Sequence, residues 1–456
     1  MDKIKNILFL QPAGGAENFS PPLGLGYLAT YVKNKLPAVK VKIVDLAVEE
    51  IRLSRLINSF KPNIIAVTGV TPMARVIRLL LEEIRSCNSD IPIVIGGPHA
   101  SALKAKIFCL PVDFAVIGEG EETFAELIEA INSGRNFSEV DGIIYREQNG
   151  SIVENRPRAF IADIDTIPKI DWSLFNMSRY TIKGTIISTR GCPYNCIFCS
   201  QSFGKGWRAH SPEYMFDVIK ELADKYSVET IRLMDDNPLI KKSRFQKICD
   251  MILNSDYHKK IKIELNHGTR MDIVDKDLFL LLKKVGVKKI WFGLESANPE
   301  VLEGMRKQLS LENIGKAIEI TRSLGFMINA FITIGMPGDN YNRSIQTMRY
   351  VKKNKIDLVS PAVATPFPGT DLYDWVEKNG RWINKDFETW HSTQSILFDT
   401  QDFSAKQRAK TLRKWLIFCA FRRIRLAMRN PVNSIRYVLR SPGLIKASIG
   451  NMFGRT

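Results

Sequence analysis

Two hydrophobic periodicities alternate along the first third of the chain. Short runs rich in apolar and β-branched residues, Ile4–Leu10, Val41–Leu46, Ile64–Val70, Ile91–Ile95 and Phe114–Ile117, read as strands. Helical patterns separate them near Gly24–Lys35, Glu49–Phe60, Pro72–Cys87 and Glu121–Asn132. Within Gly24–Lys35, Leu25, Leu28, Ala29 and Val32 share one face. Continuous apolar strands alternating with amphipathic helices predict a parallel sheet covered on both faces.

Five such βα units predict a flavodoxin-like, doubly wound α/β domain over residues 1–135. Its ligand site is expected at the carboxyl ends of the strands. Two of those ends are glycine-rich, Gly96-Gly97-Pro98-His99 and Gly118-Glu119-Gly120-Glu121. Glycine lets a backbone approach a ligand closely. Either segment alone reads equally well as a tight turn, whereas two at one sheet edge favour a ligand.

Residues 136–180 are less regular and read as a linker. They contain one hairpin signal, Gly142–Tyr145 and Ser151–Glu154 around Asn149-Gly150. Alternation resumes over 181–400. Strands are predicted at Thr185–Thr189, Thr230–Asp235, Lys262–Asn266, Lys289–Leu294, Met327–Ile334 and Leu358–Ala364. The intervening helices are Pro212–Tyr226, Lys242–Asn254, Lys276–Val285, Leu311–Leu324 and Arg343–Asn354. About six units without a phosphate loop predict a partial (β/α)6 barrel, with its chemistry on the loops after the strands.

Composition adds little except through charge. Apolar residues make up 45% and charged residues 25% of the 456, an ordinary globular balance that excludes a disordered or fibrous chain. No apolar run reaches the roughly 18 residues of a spanning helix. The start, Met1-Asp2-Lys3-Ile4-Lys5, has no signal-peptide pattern, so a cytoplasmic location is expected. The net charge is +17, and 13 of those charges fall between Phe403 and Thr456, where no Asp or Glu occurs. The preceding 402 residues therefore carry only +4.

The decisive feature is a cysteine cluster, Thr189-Arg190-Gly191-Cys192-Pro193-Tyr194-Asn195-Cys196-Ile197-Phe198-Cys199. This is C-x3-C-x2-C in a loop just after a strand. Soft thiolates this close select zinc or an iron–sulfur cluster. A structural zinc site takes four Cys or His ligands, and the next candidate, His210, lies eleven residues on. Three cysteines fit a cubane cluster with one iron open to an exogenous ligand. The odd total of seven cysteines argues against a disulfide framework.

On these residues the chain resembles the radical S-adenosylmethionine (SAM) enzymes, including the aromatic Phe198 before the third cysteine. Further strand-end segments support the likeness. They are Trp291-Phe292-Gly293-Leu294-Glu295-Ser296, Phe331-Ile332-Thr333-Ile334-Gly335-Met336-Pro337-Gly338 and Pro366-Phe367-Pro368-Gly369-Thr370-Asp371-Leu372-Tyr373. The segments Pro21–Ala29, Ile95–Ala100 and Val116–Glu121 in turn resemble the cobalamin-binding domain fused to one branch of that superfamily, its methylases and oxidative cyclases. No D-x-H-x-x-G motif is present, so the resemblance implies cobalt without histidine ligation, and His99 reads as a turn residue.

The resemblance implies that Cys192, Cys196 and Cys199 hold a 4Fe-4S cluster whose open iron is chelated by SAM. It places Phe198, Asp235, Glu295, Gly335, Pro337 and Gly338 at SAM, with Glu295 alternatively a helix cap and Asp235-Asp236 alternatively solvated. It places Leu23, Gly24, Thr71, Gly96, Gly97, Gly118, Glu119 and Gly120 at cobalamin. The implied activity is generation of a 5′-deoxyadenosyl radical and methylation of an unactivated carbon in a hydrophobic or natural-product substrate. The alternative is radical cyclisation or carbon–carbon coupling without methyl transfer. A cobalamin- and cluster-binding sensor would leave the SAM segments idle. A ferredoxin or flavodoxin is the implied electron donor. Methylthiolation of tRNA is disfavoured, since the N-terminal domain holds only Cys87 and Cys109.

Residues 401–456 form a basic segment with a helix predicted over Ala409–Arg429, ended before Pro431. Lys414, Arg422, Arg425 and Arg429 lie on one stripe, and apolar residues cover most of the remainder. The readings are packing on the barrel or an interfacial helix on anionic lipid at the inner membrane face, with a lipid or isoprenoid substrate. Nucleic acid is disfavoured, because the aromatics are not interleaved as stacking platforms.

Overall fold

The computed structural model describes residues 3–429, apart from 15–19, 266 and 391–393. Strands β1 (Asn6–Gln11), β2 (Lys40–Asp45), β3 (Ile64–Thr68), β4 (Ile93–Gly96) and β5 (Phe114–Val116) run parallel in the order β2-β1-β3-β4-β5. This is the doubly wound order that the alternation predicts. Helices α1 (Leu23–Lys35), α2 (Leu53–Phe60), α3 (Ala74–Cys87), α4 (Pro98–Leu103) and α5 (Gly120–Ser133) cover the sheet. Neighbouring strand residues point to opposite faces, so Ile7 and Phe9 enter one core while Leu8 and Leu10 enter a second.

The hairpin forms where its turn residues predict it. Its strands β6 (Ile143–Arg146) and β7 (Ile152–Glu154) are antiparallel and extend the first sheet to seven strands. The stretch expected to be a linker therefore begins as the sheet's edge. Short 3-10 turns, including one at Trp172–Leu174, carry the chain onward, and Trp172 is buried in the core.

In the second unit the strand expected at Thr185–Thr189 is divided. Thr185–Ile186 (β8) stays in the main sheet, whereas Thr189–Arg190 (β9) pairs antiparallel with Arg208–Ala209 (β10). The break falls where the Asp235 carboxylate accepts the Ser188 N–H at 2.8 Å. Strands β11 (Thr230–Leu233), β12 (Lys262–Leu265), β13 (Lys289–Glu295), β14 (Met327–Ile334) and β15 (Leu358–Val363) complete the set. They form two parallel three-stranded arcs, β12-β11-β8 and β13-β14-β15. Thr269 joins the arcs, donating to Trp291 O at 2.8 Å and accepting from Gly293 N at 3.1 Å. The result is the expected partial barrel of six parallel strands.

Its helices are α6 (Pro212–Tyr226), α7 (Lys242–Leu253), α8 (Lys276–Lys284), α9 (Pro299–Gly304), α10 (Leu311–Ser323), α11 (Tyr341–Lys353) and α12 (Asp371–Asn379). Ser211, Asp275, Asn298, Ser310, Asn340 and Thr370 cap six of them by accepting a first-turn N–H. Helix α13 (Ala405–Arg429) starts four residues earlier than predicted and packs on β15 and α11. It buries Arg408, Leu412, Trp415 and Cys419. Packing on the barrel is thus the structure of this helix's inner face. Arg408 is a buried contact of the barrel and not part of a solvated basic face. Pro431 and the remaining basic segment lie outside the described residues.

Candidate functional site

A cavity of about 270 Å³ opens between the two units. On the sheet side it is lined by Gly24, Gly96, Gly97, Gly118, Glu119 and Gly120, so six of the eight positions expected at cobalamin converge there. Leu23 and Thr71 do not line it. Leu23 is buried at the start of α1, and the Thr71 hydroxyl is bonded to His99 Nδ1 at 3.2 Å. His99 is a buried residue of α4, whose burial pushes its imidazole down to about 4.

The cavity wall suits a large ligand pressed against backbone. Gly97 has φ +84°, and a Cβ there would stand 2.5 Å from Thr68 Oγ1. A Cβ on Gly24, which lines the cavity, would meet nothing within 4 Å. Helices α1 and α5 begin at this wall without side-chain caps. Their free first-turn N–H groups can therefore donate to a ligand's phosphate or amide oxygens.

The opposite wall comes from the barrel: Ile187, Arg190, Ser202, Phe203 and Asp236, from segments on either side of the cysteine loop and the end of β11. Arg190 bridges the two sides. Its guanidinium donates to Glu119 at 2.9 Å and to Glu121 at 2.6 Å, and lies over the Tyr27 and Phe203 rings. Burial alone would lower its pKa; the two carboxylates outweigh that and hold it above the usual value. Arg190 Nε has no protein partner. Arg208 adds a second cation on Glu119 at 2.9 Å. The Glu119 carboxylate, expected at the cofactor, is committed to these arginines and to Ile161 N.

Gly191 fixes the entry to the cysteine loop. Its φ is +81°, and a Cβ would stand 2.2 Å from Gly206 O, so only glycine fits this turn. The loop is then tied down by Cys192 N to Gly204 O, Ile197 N to Met305 O and Leu372 N to Ile197 O. Cys192, Cys196 and Cys199 lie within electrostatic reach of one another. No group of three Cys, His, Asp or Glu side chains among the described residues closes on a single metal ion. Partial burial raises the Cys192 thiol, so iron binding must displace protons.

Beside the loop, Arg270 lies 3.5 Å over the Tyr194 ring and Lys307 Nζ lies 5.6 Å from the Phe198 ring. Lys307 also pairs with Glu295 Oε1 at 3.2 Å, and Thr333 donates to Glu295 Oε2 at 2.7 Å. Glu295 is therefore held inside the barrel by β14 and does not cap the next helix, which Asn298 caps. It sits at a register shift with φ +59°, a conformation costing a non-glycine residue about 1–3 kcal/mol.

The turn from Gly335 to Gly338 ends β14. Asp339 accepts Gly335 N at 2.7 Å, and Arg408 of α13 donates to Gly335 O at 3.0 Å. Pro337 packs against Gly304 at the end of α9. Asp235 does not line the cavity, and its Oδ2 has no protein partner among the described residues. It is fully buried and accepts from Ser188 N, Ser188 Oγ and Thr189 Oγ1 at 2.7–2.8 Å, so its neighbour Asp236 faces the cavity instead. Sequence reasoning missed Arg190, Arg208, Tyr27, Phe203 and Lys307. Only Arg190 carried a local signal, a cation two residues before the first cysteine.

Comparison with known proteins decides the family. Residues 186–351 match the Radical SAM superfamily and residues 13–128 match the B12 binding domain. The chain is a radical SAM protein with a B12-binding domain. It is 29% identical to an uncharacterised methyltransferase of Pyrococcus horikoshii, over 91% of this chain and 92% of that protein. It is 28% identical to the anaerobic magnesium-protoporphyrin IX monomethyl ester cyclase of Rubrivivax gelatinosus, over 86% and 73%. Among solved structures it superposes on the radical SAM methyltransferase TsrM from Kitasatospora setae, determined with cobalamin and a 4Fe-4S cluster bound. The TM-score there is 0.70 at 16% identity, over 82% of this chain and 76% of that one. No helix among the described residues is long and apolar enough to cross a membrane.

Proposed function

We propose that this radical SAM protein is a cobalamin-dependent C-methyltransferase acting on an unactivated carbon of a small molecule. One observation carries the reading: a single cavity is bounded on one side by the glycine turns of the B12-binding domain and on the other by residues flanking the cysteine loop. When bound, the cluster and SAM supply a radical able to abstract hydrogen, and cobalamin supplies a methyl carrier. The chain's own residues hold the parts. Cys192, Cys196 and Cys199 offer three thiolates. Gly24, Gly96, Gly97, Gly118 and Gly120 admit the cobalamin against backbone. Phe198, Glu295 and Lys307 form one connected wall beside the cysteine loop, suited to the adenine, ribose or amino-acid part of SAM. Gly335, Pro337 and Gly338 follow on the neighbouring strand end. Asp236 is a polar group facing the shared cavity.

The reaction needs a low-potential electron donor, such as a small ferredoxin or flavodoxin. Within that class the substrate is a lipid or isoprenoid, a proposal that the exposed apolar positions of α13 support. The relative named as a cyclase supports a second outcome, ring closure without methyl transfer.

Anaerobic reconstitution should load about four irons per chain, and Cys196→Ala should abolish both loading and 5′-deoxyadenosine formation. Host extracts supplied with SAM bearing a deuterated methyl group should yield a labelled product. SAM cleavage without label in any product would replace methyl transfer by cyclisation or coupling. Zinc uptake with no SAM cleavage would overturn the enzyme reading.

A further inference from the structure

Helix α13 has two apolar faces, and the barrel uses only one. Arg408, Leu412, Trp415 and Cys419 lie on the buried side. At 100° per residue, Ile417, Phe421, Ile424 and Met428 fall within about 60° of one another on the opposite side. They are 48%, 69%, 55% and 71% exposed. This stripe is about 16 Å long at 1.5 Å per residue. The same face continues toward the helix start as exposed Lys410 and Arg413. Isolated exposed apolar residues are ordinary, but four in register on one helix mark a contact surface.

Charge selects the occupant. No Asp or Glu occurs from Phe403 to Thr456. A second copy docking on this face would meet further cations and no acid, whichever way its helix ran. The chain's residues 430–456 would also add cations, Arg436, Arg440, Lys446 and Arg455, with no acid to offset them. Nucleic acid would satisfy the charge but not the apolar stripe, which offers one aromatic ring and three aliphatic side chains. An anionic bilayer surface satisfies both, taking the stripe among its acyl chains and the cations among its headgroups.

We infer that α13 is an interfacial docking helix that seats the protein on an anionic lipid surface through Ile417, Phe421, Ile424 and Met428. The inference does not rest on the reaction proposed above, because this face is turned away from the barrel core. It describes attachment parallel to the membrane plane.

Flotation of the full chain with phosphatidylcholine vesicles, with and without roughly one-third phosphatidylglycerol, tests it. The intact protein should float with the anionic vesicles, not the neutral ones, and lose binding as salt is raised. F421E/I424E should reduce recovery about tenfold while iron content and near-ultraviolet circular dichroism stay unchanged. K410E/R413E, which alters charge alone, should also reduce recovery. Equal flotation of intact protein and F421E/I424E would overturn the inference, as would equal recovery on neutral and anionic vesicles. A dimer in solution that F421E/I424E converts to monomer would assign the face to a second copy instead.

Discussion

His99 shows how far one side chain's surroundings can depart from its sequence context. It follows a glycine pair in a segment that reads as a turn, yet it is buried in α4 against Thr71 and Phe387. Burial disfavours its charged form and lowers it from 6.5 to about 4. A histidine whose folded pKa is depressed contributes its full stability above the unfolded pKa and loses it as pH falls through the folded one. Unfolding free energy should therefore decrease between pH 6.5 and 4 in urea titrations, and His99→Asn should flatten that slope. Asp235 is a comparable case, since its pairing with Ser188 and Thr189 depends on β11 lying beside the start of the cysteine loop. Nothing in the Asp235-Asp236 dipeptide distinguishes which carboxylate turns inward.

At the scale of elements, α13 changes meaning most. Its composition suggests an appended basic tail, but Arg408 reaches the Gly335 carbonyl and Trp415 is fully buried against the barrel. Trp415→Ala should cost about 3–5 kcal/mol, as for other large aromatic truncations in cores. Phe421→Ala, less than two helical turns further on but on the outer face, should stay within about 0.5 kcal/mol. Guanidinium denaturation of the two variants checks the contrast. A chain stopped after Phe403 would strip Arg408 and Trp415 from the barrel, so surface substitutions are the sound way to probe the outer face. The strand boundary at Ile187 and Ser188 is likewise an element-level outcome. An apolar run marks a strand but cannot show where a neighbouring carboxylate will draw its backbone out of the ladder.

Across the whole molecule, the two units meet through a buried charge network. Glu119 and Glu121 sit at the glycine turn before and within α5, while Arg190 and Arg208 sit on the two short strands flanking the cysteine loop. Removing one member of a buried ion pair leaves an uncompensated charge and costs about 3–5 kcal/mol. Arg190→Met should destabilise the chain by that order and weaken cobalamin uptake in an absorbance titration. Arg190→Lys keeps the charge but loses the planar fork that reaches both carboxylates, so it should fall between wild type and Arg190→Met in both measurements.

Local pattern was enough for much of this protein. Strand and helix periodicity depends on residues a few positions apart, so the doubly wound sheet, the partial barrel and the Asn149-Gly150 hairpin were legible without coordinates. The C-x3-C-x2-C loop was legible for the same reason: its three thiols are close along the chain. The pairing of Arg190 with Glu119 and Glu121, some 70 residues apart in sequence, was decided only by the packing of one unit on the other. So were the single cavity shared by the glycine turns and the cysteine loop, and the division of α13 into a buried and an exposed face. Charge and hydropathy say which side chains need partners. Which partner each one meets depends on where the fold brings distant strands together.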